Sequence, residues 1–415
     1  MGNEQTKVCI IGAGPAGLMA AIFSAKTGSR TTIIESNKSP GQKLLLTGGG
    51  RCNLTHQAAP KELIRAFGDK GKFLSFSLHQ FSSQYIQDFF AHLGLRTRLE
   101  KDGCVFPASD RAGDVRDALL IEAKKLGVCF IFSTKVQSIA KHDEYFIIER
   151  SGQKIRAEKI LITTGGMSYP EAGSTGDGYR FAHDFGHTII QLRASLVPLV
   201  TLEKWPGELA GTSLDNVKIT TLIGKKKIAT AGAMLFTHDG ISGPAALDFS
   251  RLITDFLPNE KNPIKITIDL VVDINEAELE KMIISQIDKH PKKTVANILS
   301  ELVPKRISQI LCRQLNLPAE LYANQLNKDM RKKLLHLLKA MPLSIVRTRP
   351  IAEAMVTRGG VNVTEIEPKT MESKICPGLF FAGEVIDVDG PCGGYNLQIC
   401  WSTGALAGSS IAQSK

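Results

Sequence analysis

Residues 7–17, KVCIIGAGPAG, decide the fold of this chain. The run KVCII is short, apolar and rich in β-branched side chains, which is typical of a strand buried on both faces of a parallel sheet. After the glycine-rich turn, LMAAIFSAKTG has the composition of a helix that ends at Gly28. RTTIIE, residues 30–35, is a second strand that ends on an acid. The sequence therefore predicts a βαβ unit at the start of the chain.

The turn GAGPAG has the glycine spacing of a dinucleotide-binding turn. Gly12 allows the tight passage from strand to helix, Gly14 lets the backbone approach a pyrophosphate, and Gly17 allows close packing of helix on strand. The unpaired amides at the helix start then face the phosphates. Glu35, at the end of the second strand, is placed to accept hydrogen bonds from ribose hydroxyls. The site is therefore predicted to hold FAD or NAD rather than a cofactor with a 2′-phosphate.

The C-terminal part of the chain favours FAD over NAD. LFFAGE, residues 379–384, places Gly383 and Glu384 directly after an apolar strand, where flavoproteins use an acid to bind ribityl hydroxyls. GGYNLQ, residues 393–398, then opens the last helix. The amides around Leu397 are predicted to direct the positive end of the helix dipole at the N1/C2=O edge of a flavin ring.

Hydrophobic patterning divides the chain into an α/β domain and an insertion. Strand and helix patterns alternate in residues 1–195, and short β-like segments follow in residues 196–275. Residues 276–345 have helical spacing with capping residues and prolines, and strand and helix patterns return in residues 346–415. We therefore predict an α/β domain built from the first and last segments, with a β-rich domain and a helical domain inserted between them.

The composition is that of an ordinary globular protein, with 43% hydrophobic and 22% charged residues among 415. No apolar run has the length of a membrane span, and the stretch before the first strand does not resemble a secretory signal. The eight cysteines are scattered without metal-ligand spacing, so we expect reduced thiols, a cytoplasmic protein and no metal site. The net charge of +10 leaves a nucleic acid, an anionic membrane surface or a phosphate-rich cofactor open as partners.

Motifs along nearly the whole chain resemble the bacterial flavoprotein family that includes BaiN, YhiN and aminoacetone oxidase. The most specific motifs are TGGGRCN, residues 47–53, and GEVIDVDGPCGGYNLQ, residues 383–398. Gln42 and His56 depart from the family, which usually has Arg and Asn at these positions. Three further blocks resemble those of the family: GCVFPASDRAGDV (103–115), TTGGMSYPEAGSTGDGYRFAHDFGH (163–187) and LFTHDGISGPAAL (235–247).

The resemblance implies a glutathione-reductase-like FAD-binding Rossmann domain with an inserted β-rich, barrel-like domain and a small helical domain. It also implies that FAD binds in an extended form, held by residues at positions that match the family motifs. Those implied for the pyrophosphate and adenosine are Gly12, Gly14, Pro15, Ala16, Gly17, Glu35, Val136, Thr164, Gly165 and Gly166. Those implied for the flavin and its ribityl chain are Lys43, Gly50, Arg51, Cys52, Asn53, Gly383, Glu384, Gly394, Tyr395, Asn396 and Leu397.

Three residues are candidates for chemistry beyond the flavin. Cys52 is expected beside the ring, but a redox-active disulfide needs a second nearby thiol and the chain has no CxxC, so a structural role is favoured. His238, in THDGISGP, is placed to transfer a proton, and a capping role in the turn competes with this interpretation. Tyr169, in GMSYP, is placed to hydrogen-bond a substrate carbonyl, or it packs as a buried aromatic residue.

The first functional hypothesis is an FAD-dependent oxidoreductase that acts on a small organic substrate by hydride transfer at flavin N5. The chain has no second dinucleotide-binding motif, so a reductase would use NAD(P)H as a transient electron donor. An amine-type oxidase that uses oxygen is the alternative within this class. We expect no membrane partner, and the sequence leaves the oligomeric state open.

The second hypothesis is an RNA-binding or RNA-modifying flavoprotein. Residues 276–350 contain 14 Lys and Arg against 7 Asp and Glu, with clusters at 292–293, 305–306 and 331–333. Tyr322 is the only aromatic residue in this stretch, so platforms for base stacking are scarce. Solvated helix faces are therefore the favoured interpretation of the charge, and a nucleic-acid partner is not expected.

Overall fold

The two ends of the chain form one structural unit and the middle forms another. The computed structural model describes residues 4–256 and 261–413. Unit 1 consists of residues 1–193 and 351–415, and unit 2 of residues 194–350. Each unit has its own hydrophobic core.

The regular elements are numbered in chain order. Up to residue 195 they are β1 (Glu4–Ile11), α1 (Pro15–Ala25), β2 (Thr31–Ile34), β3 (Thr55–His56), α2 (Pro60–Ala66), α3 (Gly71–Gln80), α4 (Ser83–His92), β4 (Thr97–Leu99), β5 (Cys104–Pro107), α5 (Ala112–Lys125), β6 (Cys129–Ile131), β7 (Val136–His142), β8 (Tyr145–Arg150), β9 (Gln153–Ile162), α6 (Asp177–Asp184) and β10 (Ile189–Ser195). The middle of the chain contains β11 (Leu199–Thr201), α7 (Trp205–Glu208), β12 (Ser213–Ile223), β13 (Lys226–Thr237), β14 (Gly240–Ser242), α8 (Pro244–Ile253), β15 (Ile264–Asp269), α9 (Glu276–Lys289), α10 (Val295–Leu299), α11 (Lys305–Gln314), α12 (Lys328–Lys339) and β16 (Met341–Thr348). The last segment contains β17 (Val356–Val361), β18 (Leu379–Phe381) and α13 (Tyr395–Gln413). Among the helices in the described ranges, none is both long enough and apolar enough to cross a bilayer.

A largely parallel sheet is the centre of unit 1. Its strand order is β6-β2-β1-β9-β8-β7, and β18 pairs in parallel with the end of β9. Val8 to Ile11 of β1 are buried, which explains why KVCII is a continuous apolar run rather than an alternating one. β7 and β8 extend the sheet in antiparallel fashion. The predicted Rossmann fold is confirmed, and its last parallel strand comes from the C-terminal segment.

Helices α1 and α13 pack with their backbones almost in contact. A methyl group on Gly404 would lie 2.5 Å from Ala16 O, and one on Gly408 would lie 2.2 Å from Ala20 O. Residues four apart lie on the same face of a helix, so these two glycines form a shallow groove along α13 that accepts α1. The packing fixes the terminal helix beside the dinucleotide turn.

Unit 2 is a closed barrel with a helical insertion. The barrel strands follow the order β11-β14-β13-β12-β15-β16 and close on themselves. β15 alternates between exposed and buried residues, and Ile266 and Ile268 face the core, as a barrel strand requires. Helices α9 to α12 lie between β15 and β16 in sequence, and their buried leucines and isoleucines join the core of the barrel. The predicted barrel-like insertion is therefore confirmed.

The predicted boundary between residues 345 and 346 falls inside strand β16 and differs from the structure. The sequence pattern suggested that the barrel is complete before the helices begin, but in the structure strand β16, which follows the helices, completes it. β16 pairs with β15 on one side and with β11 on the other. Without it both of those strands would have open edges, so the chain must return to the barrel after the helical insertion.

A buried histidine connects three loops of unit 1. The Nε2 atom of His187 lies 2.7 Å from Ser373 Oγ, and its Nδ1 atom lies 3.2 Å from Glu365 Oε2. The imidazole side chain is fully buried and packs edge-on against Phe381 at a centroid distance of 4.8 Å. Burial lowers the pKa of His187, although Glu365 opposes this shift. The ring is therefore neutral at pH 7.

Acidification should destabilise unit 1 through His187. Because the pKa of the folded state is lowered, the unfolded chain binds a proton first as the pH falls below about 6.5, and stability is lost. His187→Gln should reduce stability by about 1–3 kcal/mol at pH 7, since it disturbs buried hydrogen bonds. The further loss between pH 7 and pH 5 should be smaller in the variant than in the wild type.

Urea denaturation followed by circular dichroism at several pH values measures this difference. His142 is exposed, so His142→Gln is the matched control and should keep the wild-type pH dependence. An unchanged slope in His187→Gln would contradict the assignment of the acid sensitivity to this ring.

Candidate functional site

The turn between β1 and α1 has the shape of a phosphate cradle. Gly12 has φ +101°, and a methyl group on Gly17 would lie 2.0 Å from Gly12 O. Both positions therefore require glycine on steric grounds. Gly14, in contrast, has an ordinary φ of −73°, and a methyl group there would meet no atom within 4 Å. The space in front of Gly14 is open, and the first-turn amides of α1 have no partner within the helix.

Glu35 lies at the end of β2 against this turn. Its Oε2 atom accepts a hydrogen bond from Ala13 N at 2.7 Å, and its Oε1 atom accepts one from Asn37 N at 2.8 Å. The residue is 7% exposed, so the carboxylate is held in one orientation. Thr134 N donates to Glu35 O at 3.0 Å. This contact brings the start of β7 with Val136, the residue implied for adenine, beside the residue implied for ribose.

The N-terminal and C-terminal motifs meet at the phosphate cradle. A methyl group on Gly383 would lie 2.7 Å from the Cβ atom of Ala16, so the end of β18 touches the first turn of α1. Gly383 N donates to Thr403 Oγ1 of α13 at 3.0 Å. The structure therefore brings together two motifs that are more than three hundred residues apart in sequence.

Glu384 is the centre of a partly buried polar cluster. Lys43 Nζ lies 2.6 Å from Glu384 Oε2 and donates to Ser168 Oγ at 2.6 Å. The other oxygen, Oε1, accepts from Thr357 N at 2.9 Å and from Ser168 Oγ at 3.1 Å. A methyl group on Gly166 would lie 2.6 Å from the same oxygen. Gly166 therefore lies beside the acid implied for the ribityl chain, and three contacts, from Lys43, Ser168 and Thr357, fix that acid in place.

The motif TGGGRCN, residues 47–53, begins inside an irregular 3-10 helix over Leu44–Gly50. Gly48, Gly49 and Gly50 all have positive φ values, between 58° and 87°. Residues other than glycine rarely adopt this backbone conformation. Arg51 lies with its guanidinium 3.9 Å from the centre of the Phe106 ring, and its NH1 atom is 2.8 Å from Glu100 Oε1. The arginine side chain therefore supports the loop from the protein side, and the glycine backbone is left to face a ligand.

The start of α13 is connected to this loop through aromatic and amide groups. The ring of His56 stacks on Tyr395 at a centroid distance of 4.6 Å, and its Nδ1 atom lies 3.1 Å from Gly393 O. Because a carbonyl only accepts, this nitrogen carries the proton. When the side-chain amide of Asn53 is oriented so that its nitrogen donates to Thr55 O, its oxygen accepts a hydrogen bond from Gly394 N at 3.2 Å.

The side chain of Asn396 stabilises the loop before α13 through hydrogen bonds to Gly390. Its Oδ1 atom accepts from Gly390 N at 2.8 Å and its Nδ2 atom donates to Gly390 O at 2.9 Å. Gln398 N already donates to Gly394 O within the helix. The amide of Leu397, which comes before Gln398, is therefore left to face a flavin.

These features fit the chemistry of FAD. A methyl group on Gly14 would meet no protein atom, so the backbone there is open to a pyrophosphate. Glu35 Oε2 accepts one hydrogen bond, from Ala13 N, and can accept a second from a ribose hydroxyl, and the glycines of residues 48–50 are exposed. Thr164 Oγ1, beside this region, is buried without a hydrogen-bond partner in the described residues. No group of three His, Cys, Asp or Glu side chains in the described ranges is arranged to hold a metal ion.

A family model described as "HI0933-like protein Rossmann domain" matches residues 6–410. The chain belongs to this family. It is an FAD-dependent oxidoreductase, as the sequence motifs predicted. The family match therefore covers both segments of unit 1 and the whole of unit 2.

Two full-length relatives and one solved structure define the similarity further. The 3-dehydro-bile acid delta(4,6)-reductase of Clostridium scindens is 32% identical over 99% of this chain and 100% of its own length. A ribosomal RNA dihydrouridine synthase of Escherichia coli is 32% identical over 99% of both chains. The 3-ketosteroid delta1-dehydrogenase of Sterolibacterium denitrificans is 13% identical, with a TM-score of 0.55 over 100% of both chains. The last comparison bears on the fold alone.

The three residues predicted for chemistry occupy different environments. Cys52 is fully buried, and burial raises the pKa of its thiol to about 12. Tyr169 is half-buried in unit 1 with φ +54°, a strained conformation for a tyrosine, and its hydroxyl lies 3.5 Å from Met355 Sδ. His238 is exposed in the turn between β13 and β14 of unit 2. Of these, Tyr169 combines partial exposure with nearness to the Glu384 cluster, because it follows Ser168 directly.

Sequence reasoning did not single out Ser168 and Thr357. Ser168 donates to Glu384 through its hydroxyl, whereas Thr357, in strand β17, donates through its backbone amide. The only available signal was their position inside family motifs. Ser168 is 216 residues from Glu384 in sequence, and Thr357 is 27 residues from it.

Gly14→Ala should give a folded protein with weakened FAD binding. The methyl group meets no protein atom, but it occupies the space through which the backbone approaches a pyrophosphate. We expect a loss of FAD affinity of about tenfold or more, measured by fluorescence titration of the apoprotein. Gly113→Ala on α5, which also meets no atom within 4 Å, is the control and should bind FAD normally. Equal affinities in all three proteins would contradict the proposed cradle.

Cys52→Ser should leave the flavin chemistry intact. The buried thiol, with a pKa of about 12, contains very little thiolate at pH 7, and the thiolate is the reactive form. Reduction of the bound flavin by an external donor should proceed within about twofold of the wild-type rate. Iodoacetamide should label the exposed Cys129 and leave Cys52 unmodified in the folded protein. Rapid labelling of Cys52, with loss of flavin reduction in the serine variant, would restore the redox hypothesis.

Proposed function

We propose that this protein reduces a carbon–carbon double bond that is conjugated to a carbonyl group. The observation that carries this proposal is the chemistry shared by the two full-length relatives named above. A 3-dehydro-bile acid with delta(4,6) unsaturation has a ketone conjugated to its double bonds. The base of uridine has a C5=C6 double bond conjugated to its C4 carbonyl, and dihydrouridine is the reduced form. A carbonyl activates both alkenes because it accepts the charge that develops when hydride is added.

The chain's own residues bind and orient the cofactor in this proposal. The amides of Ala16 and Gly17 hold the pyrophosphate at the start of α1, and Glu35 holds the adenosine ribose. Glu384, fixed by Lys43, meets the ribityl chain. The first turn of α13 places its positive dipole at the pyrimidine edge of the ring, where negative charge accumulates on reduction. Bound FAD supplies hydride transfer at N5.

A nicotinamide nucleotide is the electron donor in this proposal. GAGPAG is the one dinucleotide-binding turn of this type in the sequence, and FAD would occupy it. NADH or NADPH would therefore visit the flavin transiently and leave before the substrate binds. A cytoplasmic location, where these nucleotides are abundant, is part of the proposal.

Uridine in ribosomal RNA is the second candidate for the substrate, beside a small conjugated ketone. Two observations favour it: the name of the Escherichia coli relative and the surplus of 14 Lys and Arg over 7 Asp and Glu in residues 276–350. Neither of the full-length relatives compared above is named as an oxidase. The amine-type oxidase therefore has no specific observation in its favour.

Anaerobic reduction of the yellow holoprotein tests the proposed chemistry. NADH or NADPH should bleach the flavin absorbance, and addition of a conjugated ketone or of unmodified ribosomal RNA should restore it. The product should gain two hydrogen atoms, which mass spectrometry of the ketone or of nuclease-digested RNA detects. Glu384→Gln keeps the size of the side chain and should bind FAD more weakly, by about five- to a hundredfold, because an ionised acceptor makes stronger hydrogen bonds.

Oxidation of amines instead of reduction of a conjugated double bond would contradict the proposal. Bleaching by amines but not by NADH or NADPH, followed by reoxidation with oxygen and formation of hydrogen peroxide, would assign the protein to the oxidases. Reoxidation of the flavin without any change in the mass of the candidate substrates would exclude both substrates.

A further inference from the structure

The single aromatic residue of the basic insertion lies beside two lysines that are thirty positions away in sequence. Tyr322 faces Thr294 in an isolated antiparallel bridge. Ala323 N donates to Lys293 O at 2.8 Å and Asn324 N donates to Pro291 O at 3.2 Å. These bonds place the turn that contains Lys292 and Lys293 directly alongside the tyrosine.

Tyr322 is on the outer side of this bridge. Val295 and Ala323 next to it are buried, with 3% and 0% exposure, and form the inner side. Tyr322 is 46% exposed, which is a large value for an aromatic ring that has apolar neighbours available. Neighbouring residues of an extended segment point to opposite sides, so the ring of Tyr322 is directed away from the core.

The two paired segments carry only basic charges between the acids that flank them. Residues 289–294 and 321–328 contain Lys289, Lys292, Lys293 and Lys328 and no acidic residue, and the exposed Asp288, Glu320 and Asp329 lie directly outside them. Lys293 forms an exposed ion pair with Glu301 at 3.2 Å. Within the part of the chain that the structure describes, the other three lysines form no ion pair, and all four are exposed.

The basic character continues along α12. Lys328 is its first residue, and Lys332 lies four positions later on the same face of the helix. Both are exposed. We call the surface formed by Lys292, Lys293, Tyr322, Lys328 and Lys332 the lysine–tyrosine surface.

We propose that the lysine–tyrosine surface docks single-stranded RNA. Lysines neutralise backbone phosphates and release counterions, and an exposed aromatic ring among them stacks on an unpaired base. A membrane-binding face would need a continuous apolar stripe beside its lysines, and Tyr322 is the one aromatic residue in this region. An acidic protein surface would gain little from an isolated aromatic ring. The combination of charge and stacking therefore favours RNA.

This inference rests on the proposed function, since it supplies the docking surface for the RNA form of the substrate. Recognition of single-stranded RNA places the contacts on backbone phosphates and splayed bases rather than on base pairs. A surface of this kind binds the region around a target uridine without reading a long sequence. Other arginines and lysines of unit 2 are used internally: Arg313 pairs with Glu208 at 2.6 Å, and Lys339 pairs with Asp269 at 2.7 Å.

Fluorescence anisotropy of the holoprotein with a labelled, uridine-rich single-stranded RNA of about 16 nucleotides tests the docking surface. The variant Lys292→Gln/Lys293→Gln should weaken RNA affinity about tenfold at low salt. It should also reduce the slope of log affinity against log salt concentration by about 1.4, since two lysines each neutralise about one phosphate and each phosphate on a single strand contributes about 0.7 to the slope. Tyr322→Leu should weaken binding about fivefold or more through lost stacking, whereas Tyr322→Phe should retain the wild-type affinity.

The matched control is Lys225→Gln/Lys226→Gln, two exposed lysines at the turn and the first residue of β13 in the β12–β13 hairpin. It removes the same charge from the same unit at a place without an aromatic residue, and it should bind RNA like the wild type. An equal loss in this control would show that net charge alone governs binding, and would overturn the proposal. Binding of phosphatidylglycerol vesicles that is lost in Lys292→Gln/Lys293→Gln, with unchanged RNA affinity, would also overturn it.

Failure of the docking surface and failure of the proposed function give different results. Dihydrouridine formed in ribosomal RNA at the wild-type rate by Lys292→Gln/Lys293→Gln would overturn the docking surface and leave the reductase function standing. RNA affinity that depends on Lys292, Lys293 and Tyr322, without reduction of uridine or of a conjugated ketone by the wild type, would support the surface and overturn the function. Anaerobic reduction of the flavin by NADH or NADPH should be equal in all these variants, which confirms that they are folded.

Discussion

The near-contact of the α1 and α13 backbones is the constraint on which the FAD site depends. Gly404 and Gly408 leave no side chain between the helices, so the carbonyls of Ala16 and Ala20 occupy the space. The same packing brings Gly383 against Ala16 and sets the acid of the C-terminal motif beside the phosphate cradle. A bulkier side chain at either glycine would separate the helices and move both halves of the site apart. The cofactor site is therefore a consequence of helix packing as much as of the glycine motif.

The Rossmann fold and its glycine turn were predictable because their physical requirements are local. Glycine at positions 12, 14 and 17, a buried strand before them and an acid after the next strand are all visible in about thirty residues. The contacts that fix Glu384 were not predictable from the same evidence. Lys43, Ser168 and Thr357 come from three segments, and each residue type is common in loops. The end of the barrel was placed wrongly for a similar reason, since the partner strands of β16 precede it by a long helical insertion.

The basic residues of the helical insertion have different roles, which the composition alone does not distinguish. The surplus of basic residues in 276–350 is one number, but the structure divides these residues into two groups. Arg306 and Arg313 contact the segment around Glu208, and Lys339 holds the residues after β15. Lys292, Lys328 and Lys332 face solvent without an ion pair among the described residues. The scarcity of aromatic residues argued against RNA, yet the one tyrosine present lies where a stacking residue would be useful.

The topology of the sheet in unit 1 also determines the order in which its strands become available during synthesis. Strand β18, which pairs with β9, and helix α13 lie beyond the inserted residues 194–350. At about 5–20 residues per second, a ribosome needs roughly 8–30 s to make that insertion. During this interval residues 160–162 of β9 lack their parallel partner β18, and the groove that accepts α1 does not exist. A chain that stops before β18 and α13 lacks Glu384 and the groove for α1, so it should not bind FAD and should keep an open edge beside the end of β9.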